Sequence, residues 1–156
     1  MTTPVARLHI GSEQTTVDIA TPGQAKITLV LKLGSHLISM THFHHNPPTP
    51  GEIETAIMVI EDEIALIRHD VPAGAQLVSN DPHMRAIALL AGVAEKDELA
   101  LSLEATERLF DRLARVINGR PASAEGIPEG GDFAATLLIL REFMHHLQFE
   151  RIEVQE

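Results

Sequence analysis

The sequence has no cysteine, no tryptophan and no tyrosine, and its only aromatic ring carriers besides histidine are five phenylalanines. Without cysteine there is no disulfide, no thiolate nucleophile and no thiolate zinc site. With so few aromatics, base-stacking platforms and aromatic cages for cationic ligands are also excluded. Positive charge is scarce as well: 12 Lys and Arg face 22 Asp and Glu, for a formal net charge of -10. A nucleic-acid backbone needs a basic footprint, so nucleic acid is excluded as a partner, and any polyanionic ligand would need strong local help. No apolar run approaches the roughly 20 residues that cross a bilayer, so no membrane association is expected. The N-terminus, MTTPVARLHI, lacks the basic and apolar regions of a signal peptide, and the expected compartment is the cytoplasm. What is present is 156 residues with 44% apolar composition. That is enough for one domain with a real core and a tight fit for two.

Hydrophobic periodicity divides the chain cleanly. VARLHI (residues 5–10) and TTVDIA (15–20) alternate around the punctuation GSEQ and read as a hairpin. A turn at Thr21–Gln24 leads to ITLVLKL (27–33), a third strand rich in β-branched residues and leucine. Thr49-Pro50-Gly51-Glu52 fits a capping box with proline at the first helical position. The isoleucines at 53, 57, 60, 64 and 67 then mark one apolar stripe, predicting a helix to about Arg68. QLVS (76–79) reads as a short buried strand, and Asn80-Asp81-Pro82 as the start of a buried helix over 82–90. Ser102 caps an amphipathic helix over 103–117. A long Gly/Pro-rich loop (118–131) follows, then a helix over 133–146 with Asp132 as its cap, and a last strand over 149–154. Three antiparallel strands followed by helix, strand, helices and strand specify an α/β fold. The sheet is mixed, of about five strands, with helices across its faces: the RNase H-like, or actin-like, half-fold.

Elements in this order carry residues that resemble a known family. LHIGSEQTTV, LKLGSHLISMTHFHHNPPTPGEIETAI, PAGAQLVSNDPHMRAIAL, LEATERLFDRLARV and EGIPEGGDFAATLLILREFMHHLQFERIEV run collinearly over nearly the whole chain. Together they resemble the second, C-terminal actin-like domain of the exopolyphosphatase/guanosine pentaphosphate phosphatase (Ppx/GppA) family. The resemblance implies a phosphate-cradling glycine loop after the first strand, an Asp-x-Gly-Gly-Gly-Ser-Thr-like run, because backbone amides can approach phosphate only where no Cβ intrudes. The matching residues are His9-Ile10-Gly11-Ser12-Glu13-Gln14-Thr15, where Gly11 and Thr15 persist. Gly11, Ser12, Gln14 and Thr15 are therefore the candidate phosphate-loop residues. Glu13 works against them, since a carboxylate beside a polyanion costs about 1 kcal/mol in water and more when desolvated.

A second family loop, Gly-Gly-Thr, opens a helix N-terminus toward the ligand. Here the position reads Asn80-Asp81-Pro82-His83. Pro82 removes one free amide and Asp81 can satisfy others itself. The family's Arg-Ala-Asp has become Gly130-Gly131-Asp132, its terminal Ser-Asp-x-Gly-Leu-Arg-Glu-Gly segment does not follow Val154, and its catalytic carboxylate belongs to the other actin-like domain. The resemblance thus implies the fold and argues against the family's activity.

Three further features call for a reading. His42, His44 and His45 precede the proline-rich turn, and in an extended segment His42 and His44 share one face with His45 opposite. They are candidate ligands for a divalent metal, with His36, His69, His145 and His146 as possible contributors, although no His-x-x-x-His helical pair occurs. Phe43 between them is the expected core anchor. Glu52 and Glu54 read as capping and solvated residues, and Ser, His and Asp lack any Gly-x-Ser-x-Gly nucleophile context. Finally, a lobe whose ligand face is uncovered should seek a partner. The expected function is therefore non-catalytic, through protein contacts, as a homo-oligomer or with a separate protein lobe. The alternatives are a binder of a small phosphorylated ligand or weak polyphosphate or guanosine tetraphosphate hydrolase, one subunit of a split enzyme, and a histidine-based metal-binding protein.

Overall fold

The computed structural model describes residues 3–156. A hairpin of β1 (Val5–Ile10) and β2 (Thr15–Ala20) is extended by β3 (Ile27–Leu31), and α1 (Ser35–His42) and α2 (Pro50–Ile67) follow. After β4 (Gln76–Ser79) come α3 (Pro82–Leu90), β5 (Leu99–Ser102), α4 (Leu103–Ile117), α5 (Ala122–Glu125), α6 (Gly131–His146) and β6 (Arg151–Val154). The sheet has six strands in the order β3-β2-β1-β4-β6-β5. β1 pairs parallel with β4, and β4 with β6, while the three-strand meander and the β5–β6 pair are antiparallel.

The expected five-strand sheet is corrected to six by β5. LALS is only four residues long, and it lies between a loop and a helix start, so no period of two is long enough to announce it. Two short helices also went unread. α1 takes its place where the sequence shows no apolar stripe beyond Ile38, and α5 folds part of the supposed long loop. That loop is tied down: the Arg112 guanidinium donates to the carbonyls of Glu125 (2.5 and 3.1 Å) and Leu90 (2.8 Å), and Ile127 is buried. β3 stops at Leu31 and β6 starts at Arg151, each two residues inside the expected bounds.

Along β1 and β2 the alternation sends Ala6, Leu8, Ile10, Thr15, Val17 and Ile19 into the core. Arg7, His9, Thr16 and Asp18 lie at the opposite parity and are less covered. The isoleucine stripe of α2 behaves as the spacing requires, with Ile53, Ile60, Ile64 and Ile67 buried and Ile57 packed against the core. The centre of the molecule is α6, in which Ala134 to Leu140 are buried without interruption. A helix apolar on all sides must be covered on all sides, and α1, α2 and α4 pack around it. Phe143 stacks on Phe149 with ring centroids 6.0 Å apart. Gly131 lets the start of α6 approach α1, since a Cβ there would strike the Ser39 side chain and come within 3.2 Å of Phe43. Asp132 does not cap this helix: it lies one residue inside, and Gly130 holds the N-cap position with no side-chain bond.

Candidate functional site

The parallel neighbours β1 and β4 end at Ile10 and Ser79, with β1 running further because Arg7 stands opposite Val78. The edge beyond them carries the residues that the sequence singles out around 9–15 and 80–83. Its first wall is the turn of the β1–β2 hairpin. The Gly11 amide donates back to the Gln14 carbonyl (2.9 Å), and the carbonyls of Gly11 and Ser12 accept from the first amides of α1: Ser35 (2.9 Å), His36 (3.0 Å) and Leu37 (3.1 Å). The unpaired amides of a helix N-terminus are what would hold an anion. Here the chain's own carbonyls occupy three of them. The contact is close: a Cβ on Gly34 would overlap the backbone of Ser12 and Glu13, and one on Gly11 would lie 2.7 Å from the Gln14 carbonyl oxygen. Thr15 is fully buried and donates its hydroxyl to the Leu33 carbonyl at 2.9 Å. Ser12, Glu13 and Gln14 face solvent. The four candidate phosphate-loop residues thus share one hairpin, with the Gly11 amide and the Thr15 hydroxyl turned to the protein's own carbonyls.

The second wall is Asp81. It does not cap α3 with its side chain, contrary to expectation. Instead its carboxylate turns to β1, accepting from the Ile10 amide through Oδ2 (2.9 Å) and meeting His9 Nδ1 through Oδ1 (2.5 Å). His83 Nε2 donates to the Ile10 carbonyl at 2.9 Å and lies 3.5 Å from Asp81 Oδ2. The partners fix the tautomers. A carboxylate and a carbonyl can only accept, so His9 carries its proton on Nδ1 and His83 on Nε2. Asp81 is 6% exposed. Burial pushes its carboxyl up, but hydrogen bonds from His83, His9 and the Ile10 amide outweigh that and hold it below the ordinary aspartate value. The same pairing raises His83 above the usual imidazole value against the opposing effect of burial. Beside His83 a pocket of about 250 Å³ opens between α3 and the starts of α1 and α6, lined by Ser35, His83, Ile87, Asp132, Phe133 and Thr136.

The proline-rich turn is organised differently from its sequence reading. His42 is the last residue of α1, so the assumed extended run with His42 and His44 on one face does not form. Phe43 packs against the core, as its type requires. The His44 amide donates to Glu52 Oε2 (2.9 Å), which also lies 3.0 Å from His45 Nδ1. Glu52 Oε1 closes the capping box on the Thr49 amide at 2.9 Å, while the Glu52 amide donates to Thr49 Oγ1 at 3.2 Å. The Thr49 amide, opposed by desolvation and helped by His45 and the His44 amide, lowers Glu52 to about 2. Glu54 is exposed on α2.

A second constellation joins His146, one of the possible metal contributors among the histidines, to two glutamates that the sequence does not single out. Glu61 of α2 and Glu142 and His146 of α6 bring one donor atom each to within 4.8 Å of one another, the group of this kind found among the described residues. Its local sign is Glu142-x-x-x-His146, one helical turn apart, a pattern with one histidine where a His-x-x-x-His pair has two.

The mixed sheet, its strand order and the central helix define the class: an actin-like, RNase H-like α/β half-fold. Among solved structures it is the fold of one half of the Ppx/GppA phosphatases. The chain superposes on the Aquifex aeolicus Ppx/GppA phosphatase, type II variant, with a TM-score of 0.75 and 14% identity, covering 99% of this chain and 53% of that one. An exopolyphosphatase-like protein gives 0.72 and 14% over 100% and 56%, and an exopolyphosphatase from Cytophaga hutchinsonii 0.66 and 15% over 99% and 53%. The chain therefore spans about half the length of the structures it matches. No protein-family model and no curated protein matches the sequence. No helix among the described residues is long and apolar enough to cross a membrane.

Proposed function

We propose that this chain is a non-catalytic, exopolyphosphatase-related lobe that works by protein contacts, with a second copy of itself as the partner. The observation that carries the non-catalytic reading is the closure of the carboxyl edge. The amides of Ser35, His36 and Leu37 are bonded to Gly11 and Ser12, and a buried carboxylate stands where a polyanion would approach α3. A phosphate would have to displace backbone carbonyls and then face the buried Asp81 carboxylate and, on the solvent side, Glu13. The contact reading draws on where apolar surface is exposed. Ile27 and Val30 on the free edge of β3, Met40 on α1, and Met58 and Leu66 on α2 are 45–74% exposed. α2 packs beside β3, with Glu63 accepting the Lys32 amide at 2.7 Å. Exposed apolar side chains on neighbouring elements favour a contact role, and a two-fold pair is the commonest way to cover them.

Sedimentation velocity over a hundredfold range of concentration tests this. A dimer is expected, dissociating in a Met58→Glu, Leu66→Glu variant whose changes leave the core untouched. A wild-type monomer throughout would remove the self-association reading.

The second reading, a binder of a small phosphorylated ligand, is favoured by the pocket beside His83, whose raised basicity suits an anion. Under it, triphosphate or ATP stabilises the fold and His83→Gln abolishes the effect.

A further inference from the structure

We propose that Glu61, Glu142 and His146 form a binding site for one divalent transition-metal ion of the zinc class, which clips α2 to α6. The three side chains meet around one imidazole nitrogen. His146 Nε2 lies 3.0 Å from Glu61 Oε2 and 3.1 Å from Glu142 Oε1. A single imidazole N–H cannot point along both directions, whereas donors bonded to one ion at about 2.1 Å sit about 3.0–3.4 Å apart. The donor set is one imidazole nitrogen and two carboxylate oxygens. That combination suits Zn²⁺, Co²⁺ or Mn²⁺ and disfavours Mg²⁺ and Ca²⁺, which take oxygen alone.

The surroundings fit an ion held from one side. Glu142 is 5% exposed, while His146 and Glu61 are 27% and 42% exposed, so the inner ligand is fixed by packing and the outer side stays open to water. Glu142 is positioned from behind. Arg141 Nη1 donates to its other oxygen, Oε2, at 2.7 Å, and is itself held by Glu107 Oε2 at 3.1 Å and by the Phe110 ring 4.1 Å from its centre. This arrangement leaves Oε1 free to face His146 and matches the outer-sphere partner that ligating carboxylates commonly have. Two carboxylates brought together from different helices also repel, and a cation between them relieves that. Since α6 is the helix around which the others pack, an ion here would fasten α2 to the centre of the core.

The test uses the whole chain without an affinity tag, stripped of metal and titrated with Zn²⁺ by calorimetry and with Co²⁺ by visible absorption, alongside thermal unfolding. One equivalent per chain is expected, with Tm raised by about 5 °C at a hundredfold excess over Kd. His146→Gln and Glu61→Gln should each lower affinity by more than about tenfold, whereas His145→Gln and a triple His42→Gln, His44→Gln, His45→Gln variant should bind like wild type. Glu61 is on the exposed side, so its variant reports even if Glu142→Gln fails to fold. Absence of uptake, uptake that survives His146→Gln and Glu61→Gln, or uptake lost only in the triple variant would each overturn the proposal.

Discussion

At position 81 the chain places a buried carboxylate at the start of α3, and the consequences reach three neighbours. Asp81 takes the Ile10 amide, orients His9 and sustains the protonated form of His83. Asp81→Ala should cost about 2 kcal/mol, because the Ile10 amide loses its partner in a site too buried for water to replace it. The pH dependence follows from the two shifts. Asp81 is held below 3.8, so its contribution is present above that value and fades as pH falls beneath it. His83 is held above 6.5, so its contribution is complete below that value and is lost as pH rises through its raised pKa. Between these limits both charges coexist. Asp81→Asn should therefore destabilise more at pH 5.5 than at pH 9 in urea unfolding. In an NMR titration His83 should show a midpoint above 6.5 that falls in the variant. Equal losses at both pH values would mean that the ion pair contributes nothing. The sequence signalled Asp81 as a residue that competes with an anion, but its spacing to Pro82 suggested a helix cap. The choice of β1 over α3 depends on how the two parallel strands align, which no local pattern encodes.

Among the elements, legibility followed the length and strength of local patterns. α2 was readable from both ends because the Thr49–Glu52 capping box and five isoleucines at helical spacing agree, and the structure reproduces both. α1 was invisible because eight residues with one buried side chain, Ile38, carry no period. Its helicity is fixed by tertiary contacts, chiefly the amides that the hairpin turn accepts, and by the α6 surface beneath it. The metal-ligand candidates suffered from the same gap. Placing His42 in a helix removed the alternation on which the histidine trio rested, while Glu61 and His146 are 85 residues apart in sequence and meet only through packing of α2 on α6. Two glycines test the dependence of α1 on the turn. Gly34→Ala should destabilise strongly, since its Cβ meets the Ser12 and Glu13 backbone, which cannot yield as a flexible side chain would. Gly51→Ala, in the first turn of α2 with open space around it, should be neutral or stabilising by up to about 1 kcal/mol. Comparable unfolding midpoints for the two variants would show that the α1–turn contact is not tight.

For the molecule as a whole, the order of strands and helices suffices to specify the half-fold, because a three-strand meander followed by helical crossovers admits few sheets. Activity does not follow from that order, since function resides in sites and a shared fold at 14–15% identity fixes only architecture. The account's central claim is that the edge which would receive a phosphate chain is closed from within, leaving the lobe to act through its surface. Amide NMR during titration with tripolyphosphate, with and without Mg²⁺, tests this most directly. The account predicts no saturable shifts at Gly11–Thr15, Ser35–Leu37 or Asp81–Met84. Saturable shifts concentrated at those amides, and lost in a His83→Gln variant, would contradict it.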